Sequence, residues 1–372
     1  MTLTGREYQH LEDLVFCEEQ GAHRALYILK NLHHFDISIK WDGNPTIYFG
    51  RNGNGKFTLV GKNGWGRDWI NTPEELEQWT LNRGKKEPWR PAFAKSLADM
   101  WRILEPHCNF RGFMYADVLW HPAKPYVWGR RDGSIYFCPN QVSYFVKPDT
   151  DLHKEIHDSK LGLAVHSKFE FFGDTNGHSF YKNLNIGSKD IVVVPQTVMS
   201  QGIYIPTEMI NALEKKLRKN ENDLDALFFH RAGLSDFRDI IYKYVNYMNK
   251  AGEFDNLTDL EKFKDWIDVS KLSFNKQGRM RDIINSNKAE FKMMFGLVLD
   301  IAAIKDLIIA GLDKLPTNIS SYSMQPTGSN SGCRAVVGGE GYIVQAPKVK
   351  LVPRKRWKPT GVSGYDVTEL FS

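Results

Sequence analysis

The spacing of apolar residues changes period near Pro206, and that change limits the architectures open to the chain. Before it, short runs with two-residue alternation predominate. Residues 35–39, 46–49, 56–60, 113–120, 134–148, 161–167 and 191–194 read as strands. Residues 6–33 and 73–104 read as helical stretches among them. Pro73-Glu74-Glu75-Leu76 is a helix start, with proline and acids where the helix dipole favours them. Gly84-Lys85-Lys86 and Arg90 form an exposed basic link within the second stretch. From Pro206 onward the apolar spacing is helical, over residues 208–219, 234–250, 258–269, 280–287 and 292–315. Strand character returns at residues 339–344 and 348–358. The expectation is an α+β chain with an inserted all-helical domain. Its parts are residues 1–205, a helical block 206–325, and completing strands in 326–372. Residues 316–333, rich in Ser, Gly, Asn and Pro, read as a linker or mobile loop.

With 372 residues the chain is long enough for two domains. The 49 basic and 44 acidic residues leave a net charge of +5, too mild by itself to imply a polyanionic partner; only clustering of charge would. Cys17, Cys108, Cys138 and Cys333 have neither zinc-ligand spacing nor the density of a disulfide framework, so a reducing compartment is expected. The start of the chain lacks a secretory signal pattern, and a cytoplasmic location is expected. The most apolar segment, residues 293–312, is interrupted by Asp300, Lys305 and Asp306, which fits a core helix rather than a membrane span.

The chemistry concentrates in Ser38-Ile39-Lys40-Trp41-Asp42-Gly43-Asn44-Pro45. Lys40 ends an alternating run, and strand geometry would send Lys40 and Asp42 to one face. Gly43 lets the chain bend where a side chain would block a ligand. Such a lysine is either an amine nucleophile with a lowered pKa or a surface lysine before a turn. The glycine-rich link Gly50-Arg51-Asn52-Gly53-Asn54-Gly55 joins two β-runs as a hairpin. Its P-loop spacing up to Lys56 is coincidental: Phe57 stands where Ser or Thr is needed, and a strand follows instead of a helix. Lys62, in the turn Gly61-Lys62-Asn63-Gly64, is either a loop residue or an anion contact. Asp117 is a lone acid in a buried run, which requires a partner cation or a ligand. His166 closes another strand, as a structural residue or a ligand. Lys348 and Lys350 share a strand face within the basic run that extends to Lys358; such a run protects a sheet edge or meets a phosphate backbone.

Taken in order, these segments resemble the covalent nucleotidyltransferase superfamily, which comprises ATP-dependent DNA and RNA ligases and mRNA capping guanylyltransferases. Lys40-Trp41-Asp42-Gly43 looks like its nucleophile motif, Lys-x-Asp-Gly. Lys62-Asn63-Gly64 is similar to Ser-Arg-x-Gly, with Lys for Arg. Tyr115-Ala116-Asp117 is similar to a hydrophobic stretch ending in Gly-Glu, with Asp for Glu. His166 sits where the family carries a purine-stacking aromatic. Glu340-Gly341-Tyr342-Ile343-Val344 and Lys348-Val349-Lys350 look like the last two motifs. The resemblance covers residues 35–200 and 335–358, and extends to ligase-like proteins carried by tailed bacteriophages.

The resemblance implies a ligase-type fold of ATP-grasp-like antiparallel sheets with flanking helices. It implies ATP and Mg2+ as cofactors and nucleic acid strand ends as partners, RNA before DNA. Lys40 would be the nucleophile, with Lys348 and Lys350 as catalytic cations. Ile39, Asp42, Gly43, Lys62, Asp117, His166 and Glu340 would bind the nucleotide, and Asp117 and Glu340 the metal. Two departures lean towards an RNA-ligase-like enzyme. Pro45 replaces the arginine usual in DNA ligases, and only about twenty residues follow Lys350, too few for a C-terminal OB fold. The helical block is then a candidate strand-gripping module. A GTP-dependent capping-type guanylyltransferase, a non-catalytic nucleic-acid-end-binding protein with a decayed core, and a structural phage component remain as alternatives.

Overall fold

The computed structural model describes residues 9–17, 19–83, 87–128, 133–179, 186–194, 198–199, 202–220, 224, 227, 236–315, 319–326, 333–337, 339–345 and 348–354. In chain order the first half contains β1 (Gln9–His10), α1 (Glu19–Lys30), β2 (Ile37–Ile39), β3 (Thr46–Arg51), β4 (Phe57–Gly61), α2 (Pro73–Asn82) and α3 (Arg90–Leu104). There follow β5 (Gly112–Trp120), β6 (Val127–Trp128), β7 (Ile135–Phe137), β8 (Val142–Val146), α4 (Asp151–Ile156), β9 (Leu161–Phe169), β10 (His178–Ser179), β11 (Ile191–Val193) and β12 (Val198–Met199). The rest contains α5 (Thr207–Lys219), α6 (Phe237–Ala251), α7 (Leu260–Val269), α8 (Phe274–Ser286), α9 (Lys288–Leu312), β13 (Ile319–Pro326), β14 (Cys333–Val337), β15 (Tyr342–Val344) and β16 (Val349–Leu351). The chain is thus mixed α+β with three sheets among the described residues. It divides into two compact units.

The unit built from Ile39–Thr197, Pro316–Glu340 and Val362–Ser372 holds two sheets. One has the order β10-β9-β5-β3-β4, with β11 parallel to β9. The glycine-rich link closes β3 and β4 as an antiparallel hairpin, and β5 pairs the far side of β3, setting Thr46 opposite Asp117. Apolar residues of this sheet, among them Ile47, Phe49, Leu59 and Val118, pack on Leu97, Met100, Trp101 and Leu104 of α3. Each such side chain contributes about 1.5–3 kcal/mol by leaving water. The second sheet has the order β14-β13-β8-β7-β6. Here the linker expectation for residues 316–333 is corrected. Residues 319–326 form β13, with Ile319 opposite Val146 and Tyr322 opposite Ser143, and β14 begins at Cys333. Pairing with β8 and β14 makes β13 a strand, and its Ser-rich composition leaves little apolar alternation to announce it. Residues 316–318 and 327–332 lie outside the described residues.

The other unit comprises Met1–Ser38, Val198–Leu315 and Gly341–Gly361. Its sheet has the order β1-β16-β15-β2-β12, so helices α5 to α9 share a unit with the N-terminal segment and with β15 and β16. Helix α9 is an interior helix; Phe291, Met294, Phe295 and Ile301 are buried along it. Tyr244 of α6 stacks on Phe263 of α7 at 4.2 Å between ring centroids. No described helix is long and apolar enough to cross a membrane.

Residues 6–33 are not one helix. After β1 the chain forms a 3₁₀ turn, Leu11–Phe16, and α1 starts only at Glu19. All six residues of the turn are buried, including Glu12 and Asp13. A helix with one apolar stripe could not bury six successive residues. Glu12 Oε1 accepts from Lys305 Nζ at 2.6 Å and from Arg354 Nε at 2.7 Å. Arg354 also donates to Asp13, and to Asn246 Oδ1 at 3.2 Å. Lys305, one of the charges that interrupts the apolar segment, is therefore a buried ion-pair partner. Burial of Glu12 pushes its carboxyl up, but Lys305 and Arg354 outweigh that and hold it well below the usual range.

Candidate active site

Strand β2 ends at Ile39, which is buried, and Lys40 follows directly. The Lys40 ammonium pairs with the carboxylate of Glu340, the residue before Gly341 and β15. Burial pushes the Glu340 carboxyl above its ordinary range; Lys40 opposes this, while Asp42 and Asp117 add to it. Lys40 thus favours the ionised form of two carboxylates, Glu340 and Asp117. Gly341 has φ of +123°, and a Cβ there would lie 2.4 Å from the Leu351 carbonyl oxygen, so glycine is required after the glutamate.

Asp117 projects from β5. Its Oδ1 accepts from the Thr46 hydroxyl at 2.9 Å, and its Oδ2 lies 3.0 Å from His166 Nε2 on β9. Burial alone would push the Asp117 carboxyl up. His166, by charge and hydrogen bond, with help from Thr46 and Lys40, holds it below its ordinary value. The His166 ring is tilted against Tyr115 at 5.7 Å, so it is held by both a carboxylate and an aromatic.

Asp42 is placed otherwise than the i, i+2 rule predicts. The strand stops at Ile39, so the alternation does not run on through Asp42. Its Oδ1 accepts from Asn140 Nδ2 at 2.9 Å, and its Oδ2 accepts from the backbone N–H groups of Gln141 at 2.8 Å and Val142 at 3.1 Å. The Asp42 N–H donates to the Tyr144 hydroxyl at 2.8 Å, and the buried Trp41 ring packs on Tyr144 at 4.8 Å. Asp42 thus clamps the Lys40 turn to the start of β8. Gly43 is explained by packing: a Cβ there would lie 2.3 Å from the Asp117 Cβ and 3.0 Å from the Val118 carbonyl oxygen. It admits β5 to the turn, and the hydrogen bonds Asn44 N–H to Val118 O and Val118 N–H to Pro45 O complete the crossing.

Lys62, at the end of the β3–β4 hairpin, is exposed and lines a cavity with Thr46. Lys348 and Lys350 belong to the other unit, where Lys350 stands opposite Ile343 and His10. The rest of the basic run, residues 355–358, lies outside the described residues, as do residues 84–86 of the basic link and residues 355–372, on which the expected lack of an OB fold turns.

Among the described residues no group of three or more His, Cys, Asp or Glu is arranged to hold a metal. Of the donors that magnesium takes, the site offers the carboxylates of Glu340 and Asp117, which already engage Lys40 and the Thr46 and His166 side chains. That ion takes one or two protein carboxylates and completes its shell with water and substrate phosphates.

Thr46, Tyr144 and the N–H groups at Gln141 and Val142 had no sequence signal. Each acts on a motif residue from a distant strand, and none lies in a recognisable motif. No curated protein and no solved structure matches the chain. A model described as a family of unknown function (DUF6267) matches residues 7–358, and the chain belongs to that family.

Proposed function

We propose that the chain is an ATP-dependent polynucleotide ligase, RNA-ligase-like, which works through a lysyl-AMP intermediate. The observation that carries this reading is the pairing of Lys40 with Glu340, beside the Asp117–His166 pair. Glu340, from a motif distant in the sequence, pairs with the amine, and Lys40 in turn helps to keep Asp117 ionised. The ligase-type fold of antiparallel sheets belongs to the same proposal.

The Lys40 Nζ, once deprotonated, attacks the α-phosphorus of ATP. A nitrogen–phosphorus bond forms, the bond to the bridging oxygen breaks, and pyrophosphate leaves with that electron pair. AMP then passes to a strand 5′-phosphate, which frees Lys40. A 3′-hydroxyl attacks that phosphate, expels AMP and seals the strand. The assignment of Lys348 and Lys350 to the transferring phosphates rests on the Lys-x-Lys motif alone. Asp117 and Glu340 would hold magnesium, which supplies charge neutralisation on the phosphates and polarises the phosphorus–oxygen bonds. Thr46 and His166 keep the Asp117 carboxylate ionised and fixed in direction.

The decisive experiment incubates the purified chain with magnesium and ATP labelled at the α-phosphate, in parallel with similarly labelled GTP. Label bound to the protein from ATP, lost in Lys40→Ala, supports the reading. Label from GTP alone assigns a capping-type guanylyltransferase. A second reading, a non-catalytic end-binding protein, draws on the commitment of Asp42 to holding the β8 turn. It expects no label from either nucleotide.

A further inference from the structure

We propose that the cavity beside the Lys40 turn seats an unpaired nucleotide of a single-stranded polynucleotide, its base against Trp89 and its phosphates on Lys62 and Arg90. This rests on the ligase reading and names the form of strand that the enzyme would accept. The cavity has a volume of about 350 Å³ and lies between the β3–β4 hairpin and helices α2 and α3. That volume is within the range of small-ligand pockets. Thr46 forms part of its wall, and the Thr46 hydroxyl is the one that holds Asp117, so cavity and candidate active site share a side chain.

The lining divides by chemistry. Trp89 is 55% exposed, a large apolar surface left in water on the wall of a mainly apolar cavity that also carries cations. Its ring is supported by the Phe93 edge at 5.6 Å and by the Arg90 guanidinium, 5.2 Å from the ring centroid. Arg90 is itself fixed by donating to the Thr80 carbonyl at 3.3 Å. Trp79 is already engaged: its indole N–H donates to Asp68, and Arg83 covers its ring at 4.3 Å while pairing with Asp68 at 3.4 Å. Trp89 also carries a guanidinium, but it is the more exposed ring and its indole N–H is not what holds it, so it is the ring offered to a ligand, with Lys62 and Arg90 as the cations of the same cavity. Helix α3 opens at Arg90 with no acid in its first turn, so its dipole adds positive potential at the cavity.

An exposed aromatic that shares a cavity with cations is the arrangement that holds single strands, because every base has a face that stacks and every linkage a phosphate. A paired base inside a duplex has both faces covered by its neighbours and cannot use Trp89. Double-stranded substrates are therefore excluded from this seat.

The test measures binding of a fluorescent single-stranded oligoribonucleotide to the Lys40→Ala chain without ATP. It therefore fails or succeeds independently of adenylyl transfer. Trp89→Ala is expected to weaken binding about tenfold, and Trp89→Phe to restore most of it. Lys62→Ala and Arg90→Ala are each expected to reduce the salt dependence of binding. A duplex of the same sequence is expected to bind more weakly. Unchanged binding in Trp89→Ala or equal affinity for the duplex would each overturn the proposal. Circular dichroism of each variant separates loss of binding from loss of fold.

Discussion

Lys40 and Glu340 form an ion pair, although one follows the second strand of the chain and the other precedes the fifteenth. Removing either partner leaves a half-buried charge uncompensated. Glu340→Gln is expected to slow labelling of the protein by ATP about 100-fold, a typical loss when one fixed electrostatic group leaves a reacting centre. Lys40→Arg keeps the positive charge but supplies no usable nucleophile, so it is expected to fold and to take no label. Labelling of Lys40→Arg would place the covalent bond elsewhere.

The Asp117–His166 pair predicts a variant with two effects. His166→Ala removes the Nε2 contact from a buried carboxylate that keeps only Thr46. The expected cost is about 1–3 kcal/mol in denaturant unfolding, the price of one unmet buried polar contact. Thr46→Val is expected to cost a similar amount, and the two changes together are expected to be non-additive because they share Asp117. Strict additivity in the double variant would separate the two contacts.

Asp42 is expected to behave as a scaffold residue. Asp42→Ala leaves the N–H groups of Gln141 and Val142 without their acceptor, and Tyr144→Phe removes the acceptor of the Asp42 N–H. Each is expected to destabilise the chain, Tyr144→Phe by about 1 kcal/mol. Gly43→Ala is expected to cost more, about 1–3 kcal/mol or above, because its Cβ meets Asp117. Thermal unfolding of the three variants checks the order. An Asp42→Ala chain as stable as the parent would return Asp42 to a ligand role.

The buried network of the other unit gives a pH signature. Glu12 is held below its ordinary value by Lys305 and Arg354 against the effect of burial, so its stabilising contribution is full above about pH 4.5 and is lost as pH falls. Asp13 is pushed up to about 6, by burial first and by Glu12, with Arg354 opposing. Its contribution is present at low pH and is lost as pH rises through about 6. Denaturant midpoints followed from about pH 3 to about pH 8 are expected to lose their acid limb in Glu12→Gln and their upper limb in Asp13→Asn. Arg354→Met is expected to cost about 3–5 kcal/mol at neutral pH, since it strands two buried carboxylates. A flat profile in the parent would contradict this pairing.

Much of the fold was legible because apolar periodicity reports strands and helices that bury one face. The β3–β4 hairpin, β5, β9 and helices α5 to α9 lie close to where spacing puts them. Two places were illegible for physical reasons. Strand β13 lies in a Ser-rich segment with little apolar patterning, and its pairing with β8 and β14 is what makes it a strand. The 3₁₀ turn at Leu11–Phe16 buries two acids whose cations come from α9 and from Arg354, and no local pattern reports a partner that distant. At the site, Lys40, Asp117 and Glu340 stand out by residue type and order. Thr46 and Tyr144 do not, because hydroxyl groups in strands are ordinary until a carboxylate or an N–H is seen to face them.

The central claim is a covalent bond between one amine and one nucleotide. Intact-mass analysis of the chain after incubation with ATP and magnesium, followed by peptide mapping, reads that bond directly. The expected result is an increase of one adenylyl group, confined to the peptide that contains Lys40 and absent from Lys40→Ala. A chain that keeps its unmodified mass with both ATP and GTP, or an adduct on any other residue, would contradict it.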